Sequence, residues 1–260
     1  MSSFAAASYD RIDFEAVPPS ATHAMRLRGQ GFAVLGPQAL AALCGHAPAE
    51  LDGALAPFWE RLAPDAYLKD GGRYRKRRHG CYLHELDAGR LEAMPHRAHW
   101  QPTTYNALHG GMERWFDPIE PAMAAQPAWR DLVTSIGRLF GEVATTPPRR
   151  WYVEAHPFRI DTSDGVGRPT PEGAHRDGVD FVAVILVGRH GVKGGETRVF
   201  EAEGPRGVRF TLEQPWSALL LDDPRVIHES TPIVPLDETR PGHRDTLVLT
   251  YRADGFQAPA

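Results

Sequence analysis

The chain has 260 residues, of which 42% are hydrophobic and 24% charged, and 29 basic against 33 acidic residues give a formal net charge of −4. This composition is typical of a globular protein and excludes collagen-like, disordered and membrane-spanning classes. The longest apolar run, residues 181–187, is far shorter than the about 20 residues that a membrane-crossing helix needs. Cys44 and Cys81 cannot build a disulfide framework, and residues 1–16 show no secretory pattern, so we expect a cytoplasmic protein.

The first half of the chain predicts short, mostly helical elements. Residues 31–36, an apolar run between glycines, predict a buried strand. The apolar spacing over residues 38–62 predicts two helices, with Pro48 near the start of the second. Another helix is predicted over about residues 117–143, with an interruption near Pro127. Its apolar positions recur every three or four residues, as on a helix face packed against a core.

Beyond residue 147 the pattern changes to short β-branched and aromatic runs separated by Gly, Pro and Asp clusters. The predicted strands are 151–160, 180–188, 196–201, 208–212, 217–222 and 245–252. Because no long helix separates them, an antiparallel sandwich or barrel is favoured over a parallel sheet. We therefore predict an α+β, mainly β chain. One domain would span residues 1–260, with a helical or irregular region over 1–147 packed on a β core over 148–252.

A His-x-Asp motif marks the start of the strongest predicted strand. His175 and Asp177 follow a Pro- and Gly-rich loop, and their spacing puts both side chains on one face of an extended chain. They provide the first two ligands of a possible triad of two histidines and one carboxylate, a set that leaves coordination positions open on Fe(II). His228, which follows another predicted strand and a turn, is the candidate third ligand. Arg244 opens the last predicted strand.

The motif by itself is weak evidence. With 12 His and 33 acidic residues in the chain, about 1.5 such matches arise by chance, and a turn-capping Asp beside a surface His explains a single one. A second His-x-Asp, at residues 243–245, has no suitable His after it. Its HRD letters also match a kinase loop, but Thr250 stands where Asn is needed and no Gly-rich ATP loop precedes it. The ordered set of His-x-Asp, the GGET turn at 194–197, His228 and Arg244 favours the metal interpretation.

This ordered set resembles the Fe(II)/2-oxoglutarate-dependent dioxygenases, and more narrowly their bacterial branch that contains the L-isoleucine 4-hydroxylase. The similar segments are PTPEGAHRDGVDF, GGET, HESTPI, HRDTLVLTYR, YRKRRHG, TTYNALHGGMERWF and HPFRI. They extend from about residue 65 to 252. The resemblance implies that the β core is a double-stranded β-helix, a jelly-roll or cupin-like fold.

The resemblance also implies roles for individual residues. His175, Asp177 and His228 would hold Fe(II), with the remaining positions for 2-oxoglutarate and O₂. Arg244 would bind the distal carboxylate of 2-oxoglutarate through its guanidinium fork, with Arg240 as a nearby alternative and a surface position as the simpler interpretation. The implied reaction hydroxylates an unactivated C–H bond of a small molecule, most readily a free L-amino acid, and releases succinate and CO₂.

Candidates for substrate binding are less specific. If the substrate is an amino acid, an arginine should bind its carboxylate and an acid its amine, and Arg159 and Glu172 are the candidates. Tyr105, Asn106 (the only Asn in the chain) and Arg114 are candidates for lining the pocket. Each has an alternative role, as a structural arginine, a loop-closing carboxylate or a loop-packing side chain.

Other functions fit some of the same features. Desaturation or cyclisation with the same cofactors would remove two hydrogens, where hydroxylation adds one oxygen. A non-catalytic metal-binding cupin-like protein would leave Arg244 unexplained. The basic run at 73–78 is isolated in a chain of net charge −4, so inward or solvated arginines are favoured over a nucleic-acid surface. We expect no nucleic-acid or membrane partner, and a homodimer is one option for the oligomeric state.

Overall fold

The structure is a computed structural model that describes residues 22–106 and 108–259. Residues 1–16, on which the expectation of no secretory segment rests, lie outside these ranges. Within the described ranges, no helix has both the length and the hydropathy that crossing a bilayer requires. Cys44 and Cys81 are buried free thiols.

Most helices of the described residues start at a proline. They are α1 (His23–Gln30), α2 (Pro37–Cys44), α3 (Pro48–Leu55), α4 (Pro121–Ala124) and α5 (Pro127–Val143), and 3₁₀ segments cover Ala56–Arg61 and Asp223–Arg225. Four of the five α-helices have proline in their first turn, where its missing N–H leaves no hydrogen bond unmade. The predicted division at Pro48 and the interruption near Pro127 are both confirmed.

Fourteen strands lie within the described residues. They are β1 (Phe32–Leu35), β2 (Ala63–Pro64), β3 (Arg75–Arg77), β4 (Gly80–Glu85), β5 (Arg90–Ala93), β6 (Arg150–Asp161), β7 (Phe181–His190), β8 (Val192–Gly194), β9 (Thr197–Glu201), β10 (Gly207–Phe210), β11 (Ser217–Asp222), β12 (Val226–Ser230), β13 (Ile233–Pro235) and β14 (His243–Arg252). All six strands predicted beyond residue 147 are present, with small shifts in their bounds. The chain is mainly β, as predicted.

A nine-stranded antiparallel sheet dominates the fold. Its order is β1-β11-β7-β14-β6-β3-β2, and β4 pairs with β6 and carries β5 on its other edge. Two smaller sheets have the orders β10-β9-β12 and β13-β8. The description of residues 1–147 as helical or irregular is therefore incomplete, because β1, β3 and β4 from that part of the chain pair with β11 and β6 of the second half.

The hydrophobic core lies between one face of the large sheet and the helical layer. Trp129, Leu132 and Phe140 of α5 are fully buried in it. The Tyr251 hydroxyl on β14 donates to the Val133 carbonyl of α5 at 2.8 Å. Packing of this apolar helix face is the main source of its stability, since isolated helices of this length are marginal in water.

The opposite face of the large sheet lines a cavity. Side chains of β6 and β14 form one wall, and the segment 169–179 together with β12 lies across from it. Because side chains alternate along a strand, each of these two long strands contributes one set of residues to the core and the other set to the cavity.

Candidate active site

His175, Asp177 and His228 meet at this cavity. One ligand atom from each lies within 4.8 Å of the other two. The Nε2 atom of His228 is 3.8 Å from Oδ2 of Asp177, and the two imidazole centroids are 4.6 Å apart. Reciprocal backbone hydrogen bonds of 3.0 and 2.9 Å between His175 and His228 hold the segment against β12. The predicted set is brought together although His228 lies 51 residues after Asp177 along the chain.

Asp223 holds the His-x-Asp turn in place. Its carboxylate accepts backbone N–H groups of Asp177, Gly178 and Val179 at 3.0, 2.8 and 3.1 Å. Burial, together with the nearby Asp177 carboxylate, raises the pKa of Asp223 to about 7. Gly178 has φ of +74°, and a Cβ there would lie 2.4 Å from the Tyr105 ring, so a side chain would not fit.

The two histidines offer lone pairs suited to a metal. His175 Nδ1 lies 2.9 Å from the Gly173 carbonyl and must donate to it, which leaves Nε2 unprotonated in the neutral ring. Burial lowers the pKa of His228 far below its usual range, with the charge of His175 as the next cause, so His228 is neutral. Burial raises the pKa of Asp177. A bound cation would favour its ionised form, and two imidazoles with one carboxylate suit Fe(II).

Arg244 is buried in the same cavity and has unused donors. Its Nε and Nη2 atoms have no hydrogen-bond partner within the described residues. Burial, followed by the charge of Arg189, lowers its pKa to about 10. Gly195, in the predicted GGET turn, has φ of +70°, and a Cβ there would lie 3.6 Å from Cδ of Arg244 and 2.9 Å from Ile233. A buried guanidinium with free donors fits an anionic ligand with two acceptor oxygens.

Three of the substrate-side candidates also reach the cavity. Glu172 lies in its wall with Oε2 buried and unpaired, and its Oε1 is 3.7 Å from Nε2 of His175. Arg114 is 2% exposed, and its Nε has no partner among the residues described. Asn106 is buried, but its amide is used inside the protein, between the backbone N–H of His109 and the side chain of Gln101.

Arg159 does not lie in the cavity. Register places it on the sheet face opposite Phe158 and Ile160, and its guanidinium binds Asp245 at 2.7–2.8 Å and Glu60 at 2.7–3.1 Å. The expectation that it binds the substrate carboxylate is therefore corrected. The reason is the alternation of side chains along a strand. The even-numbered residues 152–160 of β6 line the cavity, so the odd-numbered Arg159 faces away from it.

Tyr105 is likewise displaced from the cavity wall. Its ring packs over Gly178 and lies 5.8 Å from the Arg176 guanidinium. It supports the His-x-Asp turn from outside, which corresponds to the loop-packing alternative. The expected contact with substrate is corrected accordingly.

A second buried cluster, not predicted from the sequence, lies along the cavity wall. His79, His99, Glu154 and His156 place one nitrogen or oxygen atom each within 4.8 Å of the others, a set of residue types that could bind a metal. Distances from Oε2 of Glu154 are 2.5 Å to His99, 3.3 Å to His79 and 3.6 Å to His156. The signal available in the sequence was Glu-x-His at 154–156, because alternation within a predicted strand puts both on one face.

The direction of the hydrogen bonds at His156 indicates that this cluster holds the Glu154 carboxylate by hydrogen bonds and is not a metal site with four ligands. Arg77 Nη2 lies 2.6 Å from His156 Nδ1. An arginine only donates, so Nδ1 carries the lone pair and Nε2 carries the proton that faces Glu154. Arg77 is held between the rings of Phe116 and Phe158, at 3.8 and 4.3 Å. The basic run thus turns Arg77 inward, as one of its two interpretations anticipated.

Known proteins resemble this chain over most of its length. The family model for 2OG-Fe dioxygenases matches residues 56–250. The crystal structure of a bsmA homolog from Methylobium petroleophilum PM1 is 63% identical, covers 96% of this chain and 99% of its own, and superposes with a TM-score of 0.88. No curated protein matches the sequence.

More distant structures share the fold. IDO from Bacillus thuringiensis is 16% identical with a TM-score of 0.69, covering 89% of this chain and 94% of its own. The Fe(II)/(alpha)ketoglutarate-dependent dioxygenase TqaL is 20% identical with a TM-score of 0.68, covering 88% and 85%. The narrower resemblance to the L-isoleucine 4-hydroxylase branch stays a prediction.

Proposed function

The chain belongs to the 2OG-Fe dioxygenase family, and from this premise we propose that it hydroxylates an unactivated C–H bond of a free L-amino acid. Enzymes of this family use Fe(II), 2-oxoglutarate and O₂. Succinate and CO₂ would be released with the hydroxylated product. We further propose that the large and small sheets together form a double-stranded β-helix within a single domain. The cytoplasmic location and a homodimer stay predictions.

The cavity supports a distinct role for each polar group. His175, Asp177 and His228 would hold Fe(II), and Arg244 would bind the distal carboxylate of 2-oxoglutarate through its two free donors. Bound iron and 2-oxoglutarate supply the chemistry that activates O₂. The residues of the chain bind and orient the two small molecules and exclude water from the buried wall.

The observation that carries the substrate class is a pair of opposite charges beside the triad, each with one buried side-chain atom that has no hydrogen-bond partner among the described residues. Glu172 Oε2 and Arg114 Nε are both buried without partners among the described residues. Burial lowers the pKa of Arg114 to about 10, and the negative charge of Glu172 opposes that shift, so the two groups are electrostatically coupled. A buried polar atom without a partner costs free energy, so both groups favour a ligand with an ammonium and a carboxylate.

Apolar side chains complete the lining of the cavity. Val179, Val184, Val248 and Phe158 contribute to its wall. Small apolar side chains near the metal ligands suit an aliphatic substituent, which is where an unactivated C–H bond would lie. This combination of a charged end and an apolar part favours an aliphatic amino acid over a sugar or a nucleotide.

The first test uses the purified protein without O₂. Adding Fe(II) and then 2-oxoglutarate should produce a weak visible charge-transfer band that Asp177→Ala lacks. With O₂ admitted, free L-amino acids are then screened for succinate release, and the product mass separates a gain of one oxygen from a loss of two hydrogens. Absence of the band in protein that binds iron would contradict the assignment of Arg244.

A substitution tests the substrate class separately. Glu172→Gln keeps the volume but removes the negative charge, so the KM for an amino-acid substrate should rise about 10-fold or more, as expected for losing a charged hydrogen bond. Glu92→Gln, on the exposed strand β5, is the control and should leave the KM unchanged. If both variants have the wild-type KM, Glu172 does not bind the amine and the amino-acid proposal loses its support.

A further inference from the structure

The carboxylate of Asp177 receives a hydrogen bond whose direction is determined by other residues. Gln101 is 7% exposed, and its Nε2 lies 3.2 Å from Oδ1 of Asp177. Oδ2 of Asp177 lies on the side of His228 Nε2, at 3.8 Å. One oxygen of the carboxylate is thus engaged by Gln101 and the other faces the imidazole. The arrangement depends on which end of the Gln101 amide points at Asp177.

Two donors determine the orientation of this amide. Arg114 Nη2 lies 3.0 Å from Oε1 of Gln101, and Asn106 Nδ2 lies 3.2 Å from the same oxygen. An arginine has no acceptor, so the atom facing Arg114 must be the oxygen of the amide. The NH₂ group is therefore the end directed at Asp177.

The orientation of Asn106 is determined in the same way. Its Oδ1 accepts the backbone N–H of His109 at 2.7 Å, which leaves its NH₂ group for Gln101. Backbone bonds of 2.9 and 3.0 Å between His99 and Arg114 hold the two ends of this loop together. The hydrogen bonds run in one direction, from backbone through Asn106 and Gln101 to the carboxylate.

We propose that Gln101, oriented by Arg114 and Asn106, is a positioning residue that holds the Asp177 carboxylate with Oδ2 presented for the metal. Partners of this kind around metal ligands typically contribute 10–100-fold in metal affinity. The substrate-side expectation for Asn106 is replaced by this role, two hydrogen bonds away from the ligand. The inference rests on the assignment of Asp177 as a metal ligand made under the proposed function.

The test measures metal affinity directly, with Mn(II) as a redox-stable probe and loss of the free-ion EPR signal as the readout. Gln101→Met keeps the length of the side chain but removes the donor, so the Kd for Mn(II) should rise about 10–100-fold. The control is Gln257→Met, because the side chain of Gln257 donates to the backbone carbonyls of Asp177 and Gly178, at 3.1 and 2.8 Å, and leaves the donor to the carboxylate in place. Its effect on the Kd should be clearly smaller.

A second variant keeps the proposal testable if Gln101→Met does not fold. Asn106→Asp keeps the shape and the acceptor for His109, but it places an oxygen against Oε1 of Gln101 and opposes the present amide orientation. The Kd should rise in the single variant. Where Gln101→Met does fold, the aspartate should add little in the double variant, since it acts through Gln101. The charge-transfer band of the Fe(II)–2-oxoglutarate complex should shift in both single variants.

The outcomes distinguish the metal-ligand assignment of Asp177 from the positioning role of Gln101. Wild-type protein that binds no Mn(II) overturns the metal assignment and the inference with it. A wild-type Kd in both Gln101→Met and Asn106→Asp overturns only the positioning role. Equal losses in Gln101→Met and Gln257→Met also overturn it, because they would reflect general loosening of the His-x-Asp segment.

Discussion

The two faces of the large sheet are built from the same strands and have opposite character. Along β6, Val153 and Ala155 are fully buried against the helical layer, whereas Glu154 and His156 face the cavity. Both sets of side chains are inaccessible to bulk solvent. The face toward the helical layer is filled by packed apolar side chains. The face toward the cavity carries polar side chains, several of which have donors or acceptors without a hydrogen-bond partner among the described residues.

This difference points to the cavity face as the one that binds ligands. Unpaired polar atoms of Arg244, Arg114 and Glu172 cluster on the cavity side, where they reduce stability in the absence of a ligand. On the core side, His84 and Trp129 are exceptions, since both ring nitrogens of His84 and the indole nitrogen of Trp129 are buried without partners among the described residues. Changes on the cavity face should therefore alter ligand binding, and changes on the core face should alter stability.

The largest expected effect is on the cavity face. Arg244→Met should raise the KM for 2-oxoglutarate about 100-fold or more, because two charged hydrogen bonds of about 1.5–3 kcal/mol each are lost. Metal affinity should not change. Arg240→Met is the control, because Arg240 is exposed. A raised KM in the Arg240 variant with a normal Arg244 variant would reverse the assignment.

Arg159 tests whether strand alternation separates the two faces. Arg159→Met should lower the free energy of unfolding by about 3 kcal/mol, because it leaves the buried carboxylate of Asp245 without its partner. The KM for the amino-acid substrate should stay at the wild-type value. Urea unfolding measures the free energy of unfolding, and steady-state kinetics measures the KM. A raised KM in a fully stable variant would show that Arg159 binds the substrate after all.

A pair of glycines measures how tightly the core face is packed. In Gly137→Ala the new Cβ would lie 2.3 Å from Nδ1 of His84, so the free energy of unfolding should fall by about 1–3 kcal/mol. In Gly53→Ala, in helix α3, the Cβ would meet nothing within 4 Å, and stability should rise by about 0.5–1 kcal/mol. Equal changes in the melting temperature of both variants would contradict the packing argument.

The last prediction concerns the pH dependence of stability. Burial, with Arg138 as the next cause, lowers the pKa of His84 from 6.5 to about 4. Between these values the unfolded chain binds more protons than the folded chain, so stability falls as pH decreases from about 6.5 to about 4. His84→Leu should show a shallower decrease than the wild type in urea titrations over this range. An equally steep decrease would show that other groups cause it.

Local patterns predicted seven of the fourteen strands in the described residues and every α-helix there except α1. Pro48 and Pro127 divided the helices where their backbone chemistry predicts, and the apolar runs beyond residue 147 became strands. The missed strands are short, and polar, Gly or Pro residues interrupt their apolar runs: β2, β3, β4, β5, β8, β12 and β13. Arg75 and Arg77 are buried by long-range contacts with Asp65 and aromatic rings, and a local hydropathy pattern does not record such contacts.

For the candidate site, the ordered motifs were sufficient to select three candidate metal ligands and an arginine that the structure brings to one cavity, and insufficient to assign the substrate side. Glu172 and Arg114 reach the cavity, whereas Arg159 and Tyr105 do not. Gln101, which contacts the carboxylate of Asp177, had no recognisable pattern in the sequence. Its position depends on a loop whose ends are joined by hydrogen bonds between His99 and Arg114.

The sequence by itself determined which residues alternate along each strand, where helices start, and which ligand types occur in order, because these properties depend on neighbours a few residues apart. The tertiary structure decided which face of each strand meets the helices and which meets the cavity. It also decided which buried charges are paired, as Arg159 is by Asp245, and which are left for a ligand, as Arg244 is. Both depend on contacts between distant segments, which alternation and spacing along the chain do not specify.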